Sequence, residues 1–220
     1  MKPIVIFGAG DIAELAHYYF TTGAKREVVA FTVDSAFLAV PEFHGLPVAA
    51  FEDIEVQFPP DTHDMFVALS YTNLNKLRAD KFRAAKEKGY RLTSYLSSHA
   101  TILNDGRIGD NCFILEDNTI QPFVTIGDNV TLWSGNHIGH HSAIGDHCFL
   151  ASHVVVSGGV VIEESCFIGV NATLRDHVRI GAKSVIGANA LVLADVEAEG
   201  VYIGPATERS RVPSSRLRKI

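Results

Sequence analysis

The chain has 220 residues, 47% of them hydrophobic and 20% charged, with a formal net charge of −6. That length provides one large domain or two small ones with a real core, and the acidic balance argues against general nucleic-acid binding, which needs broad positive potential. The Met-Lys start carries no apolar signal region, no run approaches membrane-spanning length, and Cys112, Cys148 and Cys166 match no zinc spacing. The expectation is a cytoplasmic protein with reduced core thiols.

The first hundred residues alternate strand and helix signals. KPIVIFGAGDIAELAHYYF (2–20) reads as an apolar strand, a glycine turn and an amphipathic helix. VVAFTVD (28–34) is a second strand ending at Asp34, MFVALS (65–70) is another, and LNKLRADKFRAAKEKG (74–89) is a helix stopped at Gly89. Alternation of this kind predicts a small parallel α/β domain, Rossmann-like, over 1–98. YRLTSYLSSHA (90–100) carries the chain onward.

Gly8-Ala9-Gly10-Asp11-Ile12-Ala13 is G-x-G-x-x-A between a strand and a helix, the context that gives the motif weight. Gly8 and Gly10 let backbone approach a phosphate, and the helix N-terminus adds partial positive charge. Asp34 falls where an acid meets a ribose or a base. Ser70, Tyr71 and Asn73 line the same crevice, although Tyr71 and Asn73 read equally well as ordinary loop polarity. The sheet looks too small for a full dinucleotide fold, so a nucleotide carrying a sugar fits better than NAD.

From residue 102 a six-residue clock takes over. Ile102, Ile108, Ile114, Ile120 and every sixth residue up to Val192 are aliphatic, sixteen in succession. The residue four further on is small or aliphatic as well, as at Cys112, Val124, Cys148, Val160 and Ala172. Apolar positions at 6n and 6n+4 do not follow a 3.6-residue period, which excludes a helix. They describe the hexapeptide β-helix: short strands and corners, three per triangular coil of eighteen residues, both columns pointing inward. Prisms of this class wind left-handed, against the usual crossover rule. The β-helix is assigned to 99–200, about five coils without a projecting loop, followed by a tail over 201–220.

Five of the ten histidines fall within SGNHIGHHSAIGDHCFLASH (134–153). Residues six apart lie on different sides of the triangle, so His141, His147 and His153 diverge and do not share a metal within one subunit. His147 and His153 read as solvent-facing polar residues. His140 stands out, because Gly158 lies eighteen residues on and Gly159 follows beneath His141. An imidazole above bare backbone with free N–H groups supplies a proton acceptor beside a donor for an oxyanion, the parts of an acyl-transfer site. The alternative is that Gly158-Gly159 is only a tight corner. His141 is assigned to the substrate. Cys148 and Cys166 stack inside the coil as inert thiols, and Asn118 and Asn136 are expected to form an internal amide ladder.

A Rossmann-like domain joined to a hexapeptide prism resembles the bacterial sugar acetyltransferases, which include sialic acid O-acetyltransferases and nucleotide-linked amino-sugar N-acetyltransferases. The likeness rests on IFGAGDIAE, VALSYTN, IGHHSAIGDHCFLASHVVVSGGVVI and CFIGVNATLRDHVRIGAKSVIGANALVLADV, in order and spacing, and covers essentially the whole chain. It implies a homotrimer with acetyl-CoA in the groove between prisms and the nucleotide-sugar against the N-terminal domain. The family's catalytic histidine falls on His140, its thioester-facing glycine on Gly158, its nucleotide contact on Asp34 and its phosphate loop on Gly8 and Gly10. Gly158, Gly159, Arg175, Lys183, Gly204 and Pro205 are the positions that the resemblance offers to CoA, with no metal.

There are departures from the family's pattern. Gly139 and His141 stand where acids usually flank the catalytic histidine, Trp133 replaces a frequent asparagine, and Phe149 replaces a second histidine. No partner that would orient His140 is evident. The leading expectation is N-acetylation of an amino group on a nucleotide-linked deoxysugar. O-acetylation of the sialic acid type, a trimeric metal-dependent hydratase of the carbonic anhydrase type, and a non-catalytic spacer remain as alternatives.

Overall fold

The computed structural model describes residues 1–216, so the final LRKI, with Arg218 and Lys219, lies outside the described residues. The N-terminal part contains β1 (Ile4–Phe7), α1 (Asp11–Tyr18), β2 (Val28–Val33), β3 (Glu42–Phe43), β4 (Leu46–Ala50), α2 (Ile54–Gln57), β5 (Asp64–Val67), α3 (Lys76–Glu87) and β6 (Arg91–Leu92). These strands form one sheet in the order β3-β4-β2-β1-β5-β6, parallel except for the β3–β4 hairpin.

Side chains alternate across the sheet, and both faces are covered. Ile4, Ile6, Phe31 and Phe66 pack with Ala13, Ala16 and Phe20 on one side. Val5, Phe7, Met65 and Val67 pack with Phe51, Ile54, Phe82 and Ala85 on the other. The third helix starts two residues later than its apolar pattern suggests, at Lys76. Asn73, Leu74 and Asn75 have φ of 51°, 51° and 64°, and a left-handed turn cannot propagate a right-handed helix.

Beyond residue 94 the clock becomes a triangular prism of two-residue strands paired in parallel, eighteen residues apart. One face stacks the strands beginning at 101, 119, 137, 155, 173 and 191. A second stacks 125, 143, 161 and 179, and a third stacks 95, 113, 131, 149, 167 and 185. Both aliphatic columns are buried in a single core. The clock shortens at the end, where Val185 pairs with Val201, sixteen residues on.

Every corner turns through one left-handed residue, at each sixth position from Asp105 to Asn189. Asn, Asp, Gly and His occupy most of them, the residues that tolerate positive φ best. His141, His147, His153 and His177 are four of these corner residues, with φ between 59° and 63°. The histidine cluster is therefore largely a consequence of corner geometry.

The third face carries the α/β domain. Tyr95, Phe113 and Leu115 belong to the core under α1, and Arg78 of α3 is fully buried against the prism. Its guanidinium donates to the carbonyls of Asn129 at 2.6 Å and of His147 and Cys148 at 3.2 Å, and to Asn75 Oδ1 at 3.0 Å. Desolvation pushes its pKa down to about 10. Among the described residues no helix is long and apolar enough to cross a membrane.

Candidate active site

The carboxyl ends of β1, β2 and β5 open onto two adjoining cavities. The smaller, about 240 Å³, lies among Phe7, Gly8, Val33, Asp34, Phe37 and Lys81. Asp34 and Lys81 form an ion pair at 2.5 Å on its wall. The larger, about 840 Å³, lies between Gly10, Asp11, Ser70 and Tyr71 of the α/β domain and Trp133, Phe149 and Phe167 of the prism. Leu69 lines both, so the glycine turn is the divide in a single crevice.

Gly8 and Gly10 serve different needs. Gly8 has φ +127°, and a Cβ there would meet the Ala68 carbonyl at 2.7 Å, so this glycine lets β1 approach β5. Gly10 precedes α1, and a Cβ there would meet nothing within 4 Å. Gly10 is thus the one that leaves room for a ligand. Ser70 and Tyr71 line the larger cleft as expected, whereas Asn73 lines neither cavity.

Trp133 and Phe149, two of the departures from the family's pattern, are walls of the larger cleft. Tyr71 packs on Phe149 at 5.0 Å and on Phe167 at 4.8 Å, and Phe149 stacks on Phe167 at 5.8 Å. Positions 149 and 167 are outward neighbours on the third face, a relation contained in the eighteen-residue spacing. What the spacing lacks is the fact that Tyr71 comes to rest against them.

The imidazole of His140 does lie over Gly158: a Cβ on that glycine would meet its Cε1 at 2.7 Å and Nε2 at 2.9 Å. The expectation of free N–H groups beneath it is overturned. Gly158 N–H donates to Asp176 Oδ1 at 2.9 Å, and Gly159 N–H donates to the His140 carbonyl at 2.8 Å. A carboxylate eighteen residues on receives the amide at other corners too, from Asp110 to Asp128 and from Asp128 to Asp146. The His140–Gly158–Asp176 stack repeats that structural pattern.

His141 does not line the cleft; its Nδ1 lies 3.0 Å from Nδ1 of His140. Its ring packs on Phe123 at 4.7 Å, and His140 N–H donates to Gln121 Oε1 at 2.8 Å. His153 is exposed, as expected, but His147 is half-buried against Phe82 and bonded to Asn129. Burial lowers its pKa. The α/β domain covers that corner, which no prism period can foretell. Asn118 and Asn136 bind backbone carbonyls rather than each other; the amide ladder runs through Asn111, Asn129 and His147.

Cys148 is fully buried and desolvation pushes its thiol up, consistent with an inert core residue. Among the described residues no three ligating side chains converge. Arg175 and Lys183 are exposed, and Gly204 packs tightly on the Ala188 carbonyl, with Pro205 exposed beside it.

His140 and the cleft sit on different edges of the prism. His140 and Gly158 turn the corner between the first and second faces, whereas Ala151, Ser152, Gly169 and Val170, on the cleft side, turn the corner between the third and first. The strands at 137, 155 and 173 separate them.

The bacterial transferase hexapeptide model, six repeats, matches residues 105–140 and 159–194. No curated protein sequence matches the chain. Among solved structures, PerB from Caulobacter crescentus, in complex with CoA and GDP-perosamine, is 25% identical with a TM-score of 0.81, over 93% of this chain and 95% of that one. The acetyltransferase domain of PglB from Neisseria gonorrhoeae, in complex with acetyl coenzyme A, is 19% identical with a TM-score of 0.77, over 89% and 93%. WeeI from Acinetobacter baumannii is 21% identical with a TM-score of 0.78, over 93% and 97%. The last two share the fold. The hexapeptide repeat, the two-domain architecture and the coverage together make this chain similar to PerB and, in fold, to the other two.

Proposed function

We propose that the protein transfers the acetyl group of acetyl-CoA to the amino group of a nucleotide-linked amino-deoxysugar. The observation that carries this reading is the divided crevice. A base in the cavity beside Asp34 and Lys81 puts a diphosphate over Gly10 and the start of α1, and the sugar in the cleft walled by Tyr71, Phe149 and Phe167. Asp11 is the only charged residue lining that larger cleft among the described residues. A sugar carboxylate would find no cation there, whereas an ammonium would meet a carboxylate. The amino sugar is therefore favoured over the sialic acid type of acceptor.

In the proposed reaction the acceptor ammonium loses one proton to solvent, and Nε2 of His140 takes a second from the amine nitrogen as it attacks the thioester carbonyl. The tetrahedral adduct collapses by breaking the C–S bond, and His140 returns the proton to the CoA thiolate. Gly158 N–H steadies the oxyanion only once Asp176 has swung off it. Gly159, Arg175, Lys183, Gly204 and Pro205 are assigned to CoA, and the location to the cytoplasm, where acetyl-CoA is at hand.

We also assign a homotrimer. A sugar in one chain's cleft lies around an edge from that chain's own His140, so a second copy must present its histidine to the cleft. The test is thiol release from acetyl-CoA with a panel of GDP-, UDP-, dTDP- and CMP-linked sugars, each in amino and hydroxyl form. Turnover confined to amino forms is expected. Turnover of the hydroxyl forms would favour O-acetylation, and no acetyl-CoA binding by calorimetry would favour a spacer.

A further inference from the structure

We propose that His141 is the positioning residue for His140, holding its Nδ1 in a one-proton bond so that Nε2 is bare for the acceptor. This rests on the reading of His140 as the base. The two Nδ1 atoms are 3.0 Å apart and the rings stand nearly perpendicular, at 85°. Two lone pairs at that separation repel and two N–H groups collide, so the pair holds one proton. When His140 is the donor, its remaining lone pair is on Nε2, the atom that lies over Gly158 beside Cε1.

The same bond serves both halves of the cycle. Once Nε2 has taken the acceptor's proton, Nδ1–H of the imidazolium still donates to His141, and a charge-assisted bond is stronger than a neutral one. His141 thus stands in for a carboxylate partner, with a dipole in place of a full charge. Phe123 packs against the ring of His141, and Gln121 holds the backbone N–H of His140. Two side chains of the preceding coil therefore fix the orientation of the dyad.

The structural duty of His141 can be separated from this role. Its φ of 60° demands a corner residue, and both Gly and Asn meet that demand. His141→Gly keeps the corner and removes the acceptor atom, whereas His141→Asn keeps the corner and offers a carbonyl oxygen. The experiment compares wild type, both variants and His140→Gln, by thermal melting, by 15N NMR of the imidazoles in ligand-free protein, and by steady-state kinetics.

In wild type the His140 ring is expected with a hydrogen-bonded Nδ1–H and a bare Nε2. In His141→Gly it should revert toward the Nε2–H form that free histidine prefers, and kcat should fall about 10- to 100-fold, the range for loss of an orienting partner. KM for either substrate should stay within about twofold, because the bond acts on the reacting proton rather than on binding. His141→Asn should recover most of kcat. An unchanged tautomer in His141→Gly, a loss confined to KM, or an Asn variant no better than Gly would overturn the inference. Full turnover in His140→Gln would instead sink the reading of His140 as base, while the NMR result would still judge the pairing.

Discussion

Gly8 and Gly10 look interchangeable in G-x-G, and the structure separates them. Gly8→Ala introduces a Cβ 2.7 Å from a backbone oxygen at φ +127°, so it should destabilise the fold by about 1–3 kcal/mol, measured by denaturant unfolding. Gly10→Leu projects into open space at the cleft. It should leave Tm nearly unchanged while abolishing the thermal shift given by a nucleotide-sugar. A Gly10 variant that still responds to the ligand would move the phosphate site elsewhere. The spacing of the motif was visible in the chain; the division of labour was not, because it depends on the carbonyl of Ala68, just past the end of β5.

Among the elements, the corners explain the most. The six-residue clock was legible because each inward position repeats locally, and the outcome needs only the eighteen-residue coil. Partners reached across domains were not legible. Arg78 meets carbonyls about 50 to 70 residues away in sequence, and His147 is covered by α3. Arg78→Met should take the donor from the Asn129 and His147 carbonyls, while that of Cys148 keeps the Thr131 N–H at 3.0 Å, and should cost about 2–4 kcal/mol in chemical unfolding. A neutral outcome would mean water replaces the guanidinium. His147 makes a pH prediction. Burial holds its folded pKa below the unfolded value, so the unfolded chain takes up the proton first as pH falls through about 6.5. Its contribution is intact above that value and is lost below it. His147→Asn keeps the left-handed corner, so the fall of Tm from about pH 7 to pH 5 should be shallower than in wild type. It should not vanish, because burial and His44 lower His17 in the same way. A variant as steep as wild type would assign the slope to other groups.

For the whole molecule, the two parts of the proposed site lie on different prism edges, and in the proposed homotrimer the cleft of one chain would need the histidine of another. A chain carrying His140→Gln has an intact cleft and no base; a chain carrying Gly10→Leu has an intact base and a blocked cleft. Each homotrimer should be inactive. When the two are coexpressed in equal amounts and assemble at random, a site works if its cleft comes from the first chain and its histidine from the second. Each condition is met half the time, so about one quarter of wild-type turnover should return, at unchanged KM for the sites that work. Recovery should follow the square-like dependence on mixing ratio, greatest at equal amounts and falling toward either pure variant. Separately purified homotrimers mixed without subunit exchange should stay inactive, which excludes a freely diffusing product as the source. If the site were contained in one chain, no mixture would exceed the residual activity of its parts, and the corner bearing His140 would have to reach its own cleft by a route that the rigid prism between them does not offer.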